Sequence, residues 1–315
     1  MDPVTPGHAL DTPLTSDEDV APWVRSLGLG GDGEGGLVDV HVHFLPDNVL
    51  RKVWAFFDDA TANYGYEWPI HYKRPEEERL ALLRSFAVEA FAPLVYPHKP
   101  DMAAWLTGWA LDWAATIPEA VPSATIFPEG SVTDYLGDAL GRGARVVKAH
   151  VQVGGYDPRD PLLDPAWGML AEAGVPVITH CGDGPRTGNY TGMGIITEVL
   201  ERHPRLPLVL AHAGLPEYDE ALRLAERFPA VRLDTTMVGT PFTEGFAPLP
   251  ADWSARLAEL SGAGRVVLGT DFPNIPYAYW RQLEAIRGWA TADDRLGEPF
   301  LRSVLHDAPA AMLSL

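Results

Sequence analysis

The chain is short of two residues. It has one cysteine, Cys181, and only four lysines (Lys52, Lys73, Lys99 and Lys148) among 315 residues. A lone cysteine can form no internal disulfide, so the fold must hold without covalent staples, as suits a reducing compartment. No apolar run reaches the ~18 residues of a membrane-spanning helix. Positive charge is scarce: 24 Lys and Arg face 43 Asp and Glu, a net charge of −19. So acidic a surface repels phosphate backbones and anionic lipid, and neither nucleic acid nor a membrane is an expected partner. Charge within a cleft is a local matter, so an anionic substrate stays open. The opening MDPVTPGHALDTPLTSDEDV lacks the basic start and apolar core of a signal peptide, and a cytoplasmic location is expected. Also missing is a Gly-rich phosphate loop after the first apolar run, which passes into HFLPDNVL. That weighs against a doubly wound nucleotide-binding sheet.

Apolar residues make up 46% of the chain and aromatics 10%, enough for a large core. Eight short apolar runs read as strands: Leu37–Phe44, Ala87–Val95, Val121–Phe127, Arg145–Val151, Val175–Cys181, Leu208–Ala213, Val231–Thr235 and Arg265–Phe272. Between most of them lie stretches with helical spacing, such as DPAWGMLAEAG and PEYDEALRLAERFP. Strands alternating with amphipathic helices pair in parallel and carry the helices on the sheet's faces. Eight such units predict an α/β fold of the (β/α)8 TIM-barrel type over 37–315, with an open sheet as the alternative. Residues 1–36 form an extension with one short helix, capped by Ser16 with Asp19 and stopped by Gly28, then a flexible GGDGEGG lead-in. Between the first two strands, residues 45–85 hold Trp54, Phe56, Phe57, Tyr64, Tyr66, Trp68, His71 and Tyr72. An insert of that length is either a wall or lid over a site or a small packed subdomain.

The histidines give the chemistry its first outline. In LVDVHVHFLP, alternate residues of a strand share a face. His41 and His43 therefore point one way, with Asp39 behind them, and Val38, Val40, Val42 and Phe44 the other. On a half-exposed sheet the polar face would meet water. In a barrel the apolar face takes the helices and the histidines point inward, where they need partners. A divalent metal would satisfy both. Other expected strands end similarly: His180 in GVPVITHCGDG, His212 in LPLVLAHAGLP and Asp271 in RVVLGTDFPN. Barrel active sites gather at this carboxyl-terminal rim. His8, His71, His98, His203 and His306 lie in loops or helices, and no catalytic role is expected of them.

This order, His-x-His on strand one, His on strands five and six and Asp on strand eight, resembles the amidohydrolase superfamily. DVHVHFLP, PVITHCG, LVLAHAG and VVLGTDFP are similar to the strand motifs of its amidohydrolase-related branch of small metal-dependent hydrolases and decarboxylases. The resemblance implies that His41, His43, His180 and Asp271 bind one divalent ion, preferably zinc, and that His212 is an acid/base beside it. Such an ion lowers the pKa of a water to around 7. Asp271 would then shuttle a proton, while His212 polarises a carbonyl or protonates a leaving group.

Lys148 stands in RVVKAHVQVGG with His150 and Gln152 on its face. Some amidohydrolase branches carboxylate a strand-four lysine to bridge two metals. The branch this chain resembles usually holds one, so Lys148 is read as a free amine that binds an anionic group or pairs with an acid, with His150 beside it and a second metal bridged by Lys148 as the alternative. Arg186, in the loop after His180, can grip a substrate carboxylate or simply sit in water. Cys181 reads as a small core residue. Asp234, near the end of strand seven, is left open. The leading function is a hydrolase that cleaves an amide, lactone or ester of a small molecule. The alternative is a non-oxidative decarboxylase of an aromatic or unsaturated acid. A non-enzymatic binding barrel is a third reading, disfavoured because all five motif residues are present. The expected partner is a small, aromatic or carboxylate-bearing substrate, and a homodimer is an open expectation.

Overall fold

The computed structural model describes residues 8–30 and 35–315. Most of the expected flexible lead-in, residues 31–34, lies outside the described residues.

Eight strands form where eight were expected: β1 Leu37–Val42, β2 Val88–Pro93, β3 Ser123–Thr125, β4 Val146–His150, β5 Val177–His180, β6 Leu208–Leu210, β7 Arg232–Asp234 and β8 Val266–Val267. All neighbours pair in parallel, in the order β1-β2 and β3-β4-β5-β6-β7-β8. The two ladders meet at two seams, each carrying a single bridge: Val42 with Phe272 and Phe91 with Ala120. This gives the α/β barrel fold expected from the alternating pattern.

β8 is much shorter than the apolar run Arg265–Phe272 suggested. Beyond Val267 the chain leaves β7 and bonds to β1 instead. Val40 donates to the Leu268 carbonyl at 2.9 Å, Asp271 to that of His41 at 2.8 Å, and His43 to that of Phe272 at 2.7 Å. Gly269 permits this close approach, since a Cβ there would sit 2.4 Å from Thr236 Oγ1 and 2.9 Å from the His41 Cβ.

β1 departs from simple alternation. Val38 and Val40 pack with Val146 and Ile178, which stand two residues before Lys148 and His180, and with Val209 and Val267. They therefore face the barrel interior. Asp39 faces outward and accepts from Thr270 Oγ1 at 2.6 Å and Tyr279 Oη at 3.0 Å. Val42 and Phe44 also face outward, into the larger apolar cluster, whereas His41 and His43 face inward. Val40 and His41, though adjacent, share the inner face. The register shift between Asp39 and Val42 is the cause: a bulge re-aims the strand. The expectation that Asp39 stands behind the histidines and Val38 and Val40 oppose them is corrected accordingly. Desolvation raises the Asp39 pKa to about 7 against the hydrogen bonds that hold it.

The interior below the histidines is a packed apolar floor. Ala308, Met312 and Leu313 of the C-terminal helix Ala308–Leu313 close it from beneath. At the other end of the chain, the helix Val20–Ser26 follows a turn in which Asp19 accepts from the Ser16 amide at 2.9 Å. Gly28 leaves that helix at φ +72°, as expected of a glycine stop. Asp17 ties this segment to the barrel, accepting from Tyr72 Oη and from the Trp280 amide. Among the described residues no helix is long and apolar enough to cross a membrane.

The insert contains the helices Asp47–Asp58, Ala60–Tyr64 and Glu76–Ser85. It is both a packed unit and a wall. Trp68 lies 5.3 Å from Phe57 and 5.0 Å from Phe242, and Tyr66 stacks on Phe246 at 5.1 Å. Asn274 fastens it to the loop after Asp271: Trp54 donates to the Asn274 Oδ1 at 3.1 Å and Trp68 to its carbonyl at 2.7 Å.

Candidate active site

The carboxyl-terminal rim opens into a cavity of about 890 Å3, with His41, His43, His180, His212 and Asp271 at its floor. His41, His43 and Asp271 each present a donor atom, all within 4.8 Å of one another. Their orientation is set from behind. His41 Nδ1 is 2.8 Å from Asp234 Oδ2 and His43 Nδ1 is 2.9 Å from the Leu94 carbonyl. Both acceptors need the proton on Nδ1, which leaves each Nε2 with a lone pair facing the site.

The donor set then has a charge problem that a cation solves. The His43 Nε2 lone pair faces the Asp271 carboxylate Oδ1 at 2.8 Å, and two acceptors at that distance need a proton or a metal between them. His41 Nε2 lies 3.6 Å from the same oxygen and 2.9 Å from Lys148 Nζ, so an ammonium already stands against this nitrogen. Burial keeps the other rings neutral, the form that ligates. It lowers the His180 pKa to about 3, helped by His212 and Lys148. It lowers that of His212 to about 4, and it pushes that of His41 well down, with Lys148 adding to the effect. Burial opposes ionisation of Asp271, but a proton or cation shared with His43 across the 2.8 Å contact outweighs this and holds its carboxyl well below the usual carboxylate range. The residues present thus fit a divalent ion.

His180 is not in the three-residue group. Its Nε2 meets the Gly184 carbonyl at 2.9 Å, which leaves Nδ1 as its lone-pair nitrogen. Its ring stacks on His150 at 4.2 Å and lies 4.7 Å from that of His212. His150 Nδ1 accepts from the Val153 amide, so its ring is held in a turn beside His180. Lys148 is fully buried beneath the cavity, and burial lowers its pKa to about 8 against the pull of Asp234 and Asp271. Arg186 lines the cavity from an exposed loop. Cys181 is buried, and burial raises its thiol pKa.

Two floor residues occupy strained backbone. His212 has φ +56° in the turn after β6 and Asp271 has φ +67°. Non-glycine residues rarely adopt such angles, and they persist only where the surroundings hold them. For His212 the hold is Asp234, whose Oδ1 accepts from the His212 amide at 2.7 Å and from the Thr236 amide at 3.1 Å. One buried carboxylate therefore aims His41 with one oxygen and sets the His212 turn with the other. The sequence left Asp234 undecided. Its signal was its place at the end of a strand, beside the histidine-bearing strand ends. Asp234→Asn should weaken divalent metal binding about 10- to 100-fold, read by titration against a chelator. Unchanged affinity would remove Asp234 from the metal's support.

Sequence reasoning also missed Tyr96, which sits edge-on to His43 at 5.2 Å and 4.9 Å from His150. It missed as well Lys52, His98 and Lys99 at the cavity mouth. Phe56, Phe57, Tyr64 and Trp68 of the insert form one wall, with Phe246 among the lining residues.

Solved structures share this architecture. A TIM-barrel protein of Bordetella bronchiseptica superposes with a TM-score of 0.67 at 18% identity, covering 88% of this chain and 98% of that one. The 5-carboxyvanillate decarboxylase of Sphingomonas paucimobilis gives 0.59 at 14% identity, over 89% and 99%. A Pseudomonas putida protein designated a candidate 2-pyrone-4,6-dicarboxylic acid hydrolase gives 0.57 at 16% identity, over 89% and 97%. At such identities the likeness is one of fold. No curated protein matches the sequence. The profile of the family described as Amidohydrolase, in contrast, matches residues 38–315. The chain belongs to the amidohydrolase family and is an enzyme of that type.

Proposed function

We propose that this enzyme is a metal-dependent hydrolase that opens an amide, lactone or ester bond in a small carboxylate-bearing molecule. The observation that carries the reading is the convergence of His41, His43 and Asp271 within 4.8 Å at the floor of the cavity. In this reading His41, His43, His180 and Asp271 hold one divalent ion, and a donor set of three nitrogens and a carboxylate oxygen suits zinc. When bound, the ion supplies a Lewis acid that polarises a carbonyl and makes a water acidic at neutral pH.

The chain's own groups do the rest. Asp271 uses Oδ1 toward His43, which leaves Oδ2 to take up a proton and later return it to the leaving group. His212 lines the cavity, and its buried Nδ1 has no hydrogen-bond partner among the described residues; in this reading the ring polarises the scissile carbonyl or passes a proton. The aromatic wall of Phe57, Tyr64 and Trp68 takes a flat substrate and excludes water. Arg186, from its loop, is placed to meet a substrate carboxylate.

The same wall supports one other reading, a non-oxidative decarboxylase of an aromatic acid; the Sphingomonas neighbour is named a decarboxylase. The product separates the two. Protein prepared without chelator is expected to carry about one equivalent of divalent metal by elemental analysis. It should release acid, without CO2, from a panel of carboxylated lactones, esters and amides. Release of CO2 from carboxylated phenols would select the lyase. A metal-free protein whose activity ignores chelators would overturn both.

A further inference from the structure

The mouth of the cavity is built differently from the rest of the surface. On a chain of net charge −19 with four lysines, Lys52 and Lys99 both line this one cavity, as do His98 and Arg186. Among the described lining residues the only acid is Asp271, at the floor. Elsewhere exposed cations are commonly ion-paired: Lys73 with Asp58, Arg84 with Glu119, Arg202 with Asp164, Arg227 with Glu201. Among the described residues, no carboxylate within 4.0 Å pairs with Lys52, Lys99 or Arg186. Lys52 comes from the helix Asp47–Asp58 and Lys99 from the loop after β2. Lys52, His98 and Lys99 line the same cavity, and partial burial together with the ammonium groups of Lys99 and Lys52 lowers the His98 pKa. A cleft lined by one sign of charge focuses the field on an ion of the other sign.

Apolar exposure is concentrated in the same place. Of the six exposed large hydrophobic residues among the described residues, four line this cavity as an apolar collar: Phe56, Trp105, Val153 and Phe246. The volume is also generous. A cavity of about 150 Å3 is enough for benzene, and this one encloses about 890 Å3. A single-ring acid at the floor would fill only a small part of that volume.

We propose that Lys52, His98 and Lys99 form a second anion-binding subsite at the outer rim, and that the substrate is elongate. Its reacting end lies at the histidine floor, its apolar body on the collar, and a second anionic oxygen group on the rim cations. The inference rests on reading the cavity as the substrate site, and it specifies that substrate's length and charge. Lysine ammoniums on flexible stems suit such a distal contact, since they follow a mobile end group as point charges.

The test uses the metal-loaded enzyme and straight-chain dicarboxylates from adipate to hexadecanedioate, each paired with the monocarboxylate of equal length. Binding is read by calorimetry. Beyond a threshold length the diacid should bind about tenfold more tightly than its monoacid. The double variant Lys52→Ala/Lys99→Ala should lose that preference and keep its affinity for the monoacids, whereas Lys73→Ala should retain it. Lys52→Glu/Lys99→Glu should make the diacid the weaker ligand. All these positions are exposed, so melting temperature checks that the variants fold. A preference absent at every length, or one that survives the double variant, overturns the proposal. So does failure of every long acid to bind in a protein that sediments as a dimer, which would give the collar to a second copy. Failure of the metal reading looks different: elemental analysis would find no ion and chelation would leave monoacid binding unchanged, with the lysine-dependent preference intact.

Discussion

His212→Asn is expected to lower turnover about 10²- to 10⁴-fold, the usual size of a lost acid/base group, while the metal content stays at the wild-type level. Asparagine suits the test because the backbone at position 212 is left-handed, at φ +56°, and asparagine tolerates that conformation better than most residues. The bond from the residue 212 amide to Asp234 also survives the change. What disappears is the buried imidazole on the cavity floor, whose ring lies 5.3 Å from that of His41 and 4.7 Å from that of His180. If elemental analysis shows the ion lost together with the activity, His212 is a ligand and the proposed division of labour is wrong. If both are unchanged, it is a structural residue.

The companion substitution, Asp271→Asn, should have the larger consequence. It replaces an ionised carboxylate by a neutral amide at another left-handed position, φ +67°, so backbone strain is again nearly constant. His43 Nε2 loses the oxygen 2.8 Å away and the floor loses its one negative charge. Metal retention should fall by more than the 10- to 100-fold typical of an outer-sphere change. Activity should fall to background with it, because the proposed proton carrier has gone as well. Equilibrium dialysis with zinc before any assay separates the two losses. Full occupancy of the Asn variant would mean that the imidazoles suffice and that Asp271 acts on protons alone.

How legible all this was differs by level. The eight strands could be read because each is a short apolar run closed by polar residues, and the pattern survives any particular packing. The convergence of side chains at the carboxyl-terminal rim could be read for a related reason: histidines and an aspartate at strand ends stand out against valine and leucine. Facing directions were harder. Asp39 looked like a neighbour of His41 by simple alternation, and a bulge of one residue sends it to the opposite side, toward Tyr279. Bulges follow from how two strands register, which neither strand encodes alone. The end of β8 was overread because RVVLGTDF is apolar enough to continue, whereas Gly269 lets the chain turn toward β1. Asp234 was visible only as an acid near a strand end. Its hold on both His41 and His212 joins residues 193 and 22 positions away. The rim cations were in view as half of a very small lysine set, but their convergence depends on how the insert folds over the mouth.

The thin joints between the two ladders matter in a way that reaches past the chemistry. His41 rides on the two-stranded ladder with His43 just past its end, His180 on the six-stranded one, and Asp271 on the strap that crosses between them. An ion gripping all four would rivet the two halves of the cylinder together at a joint that carries one bridge and no continuous ladder. Its binding free energy would then count as cohesion of the wall, and stripping it should let the amides along that joint exchange with solvent before those of the remaining wall.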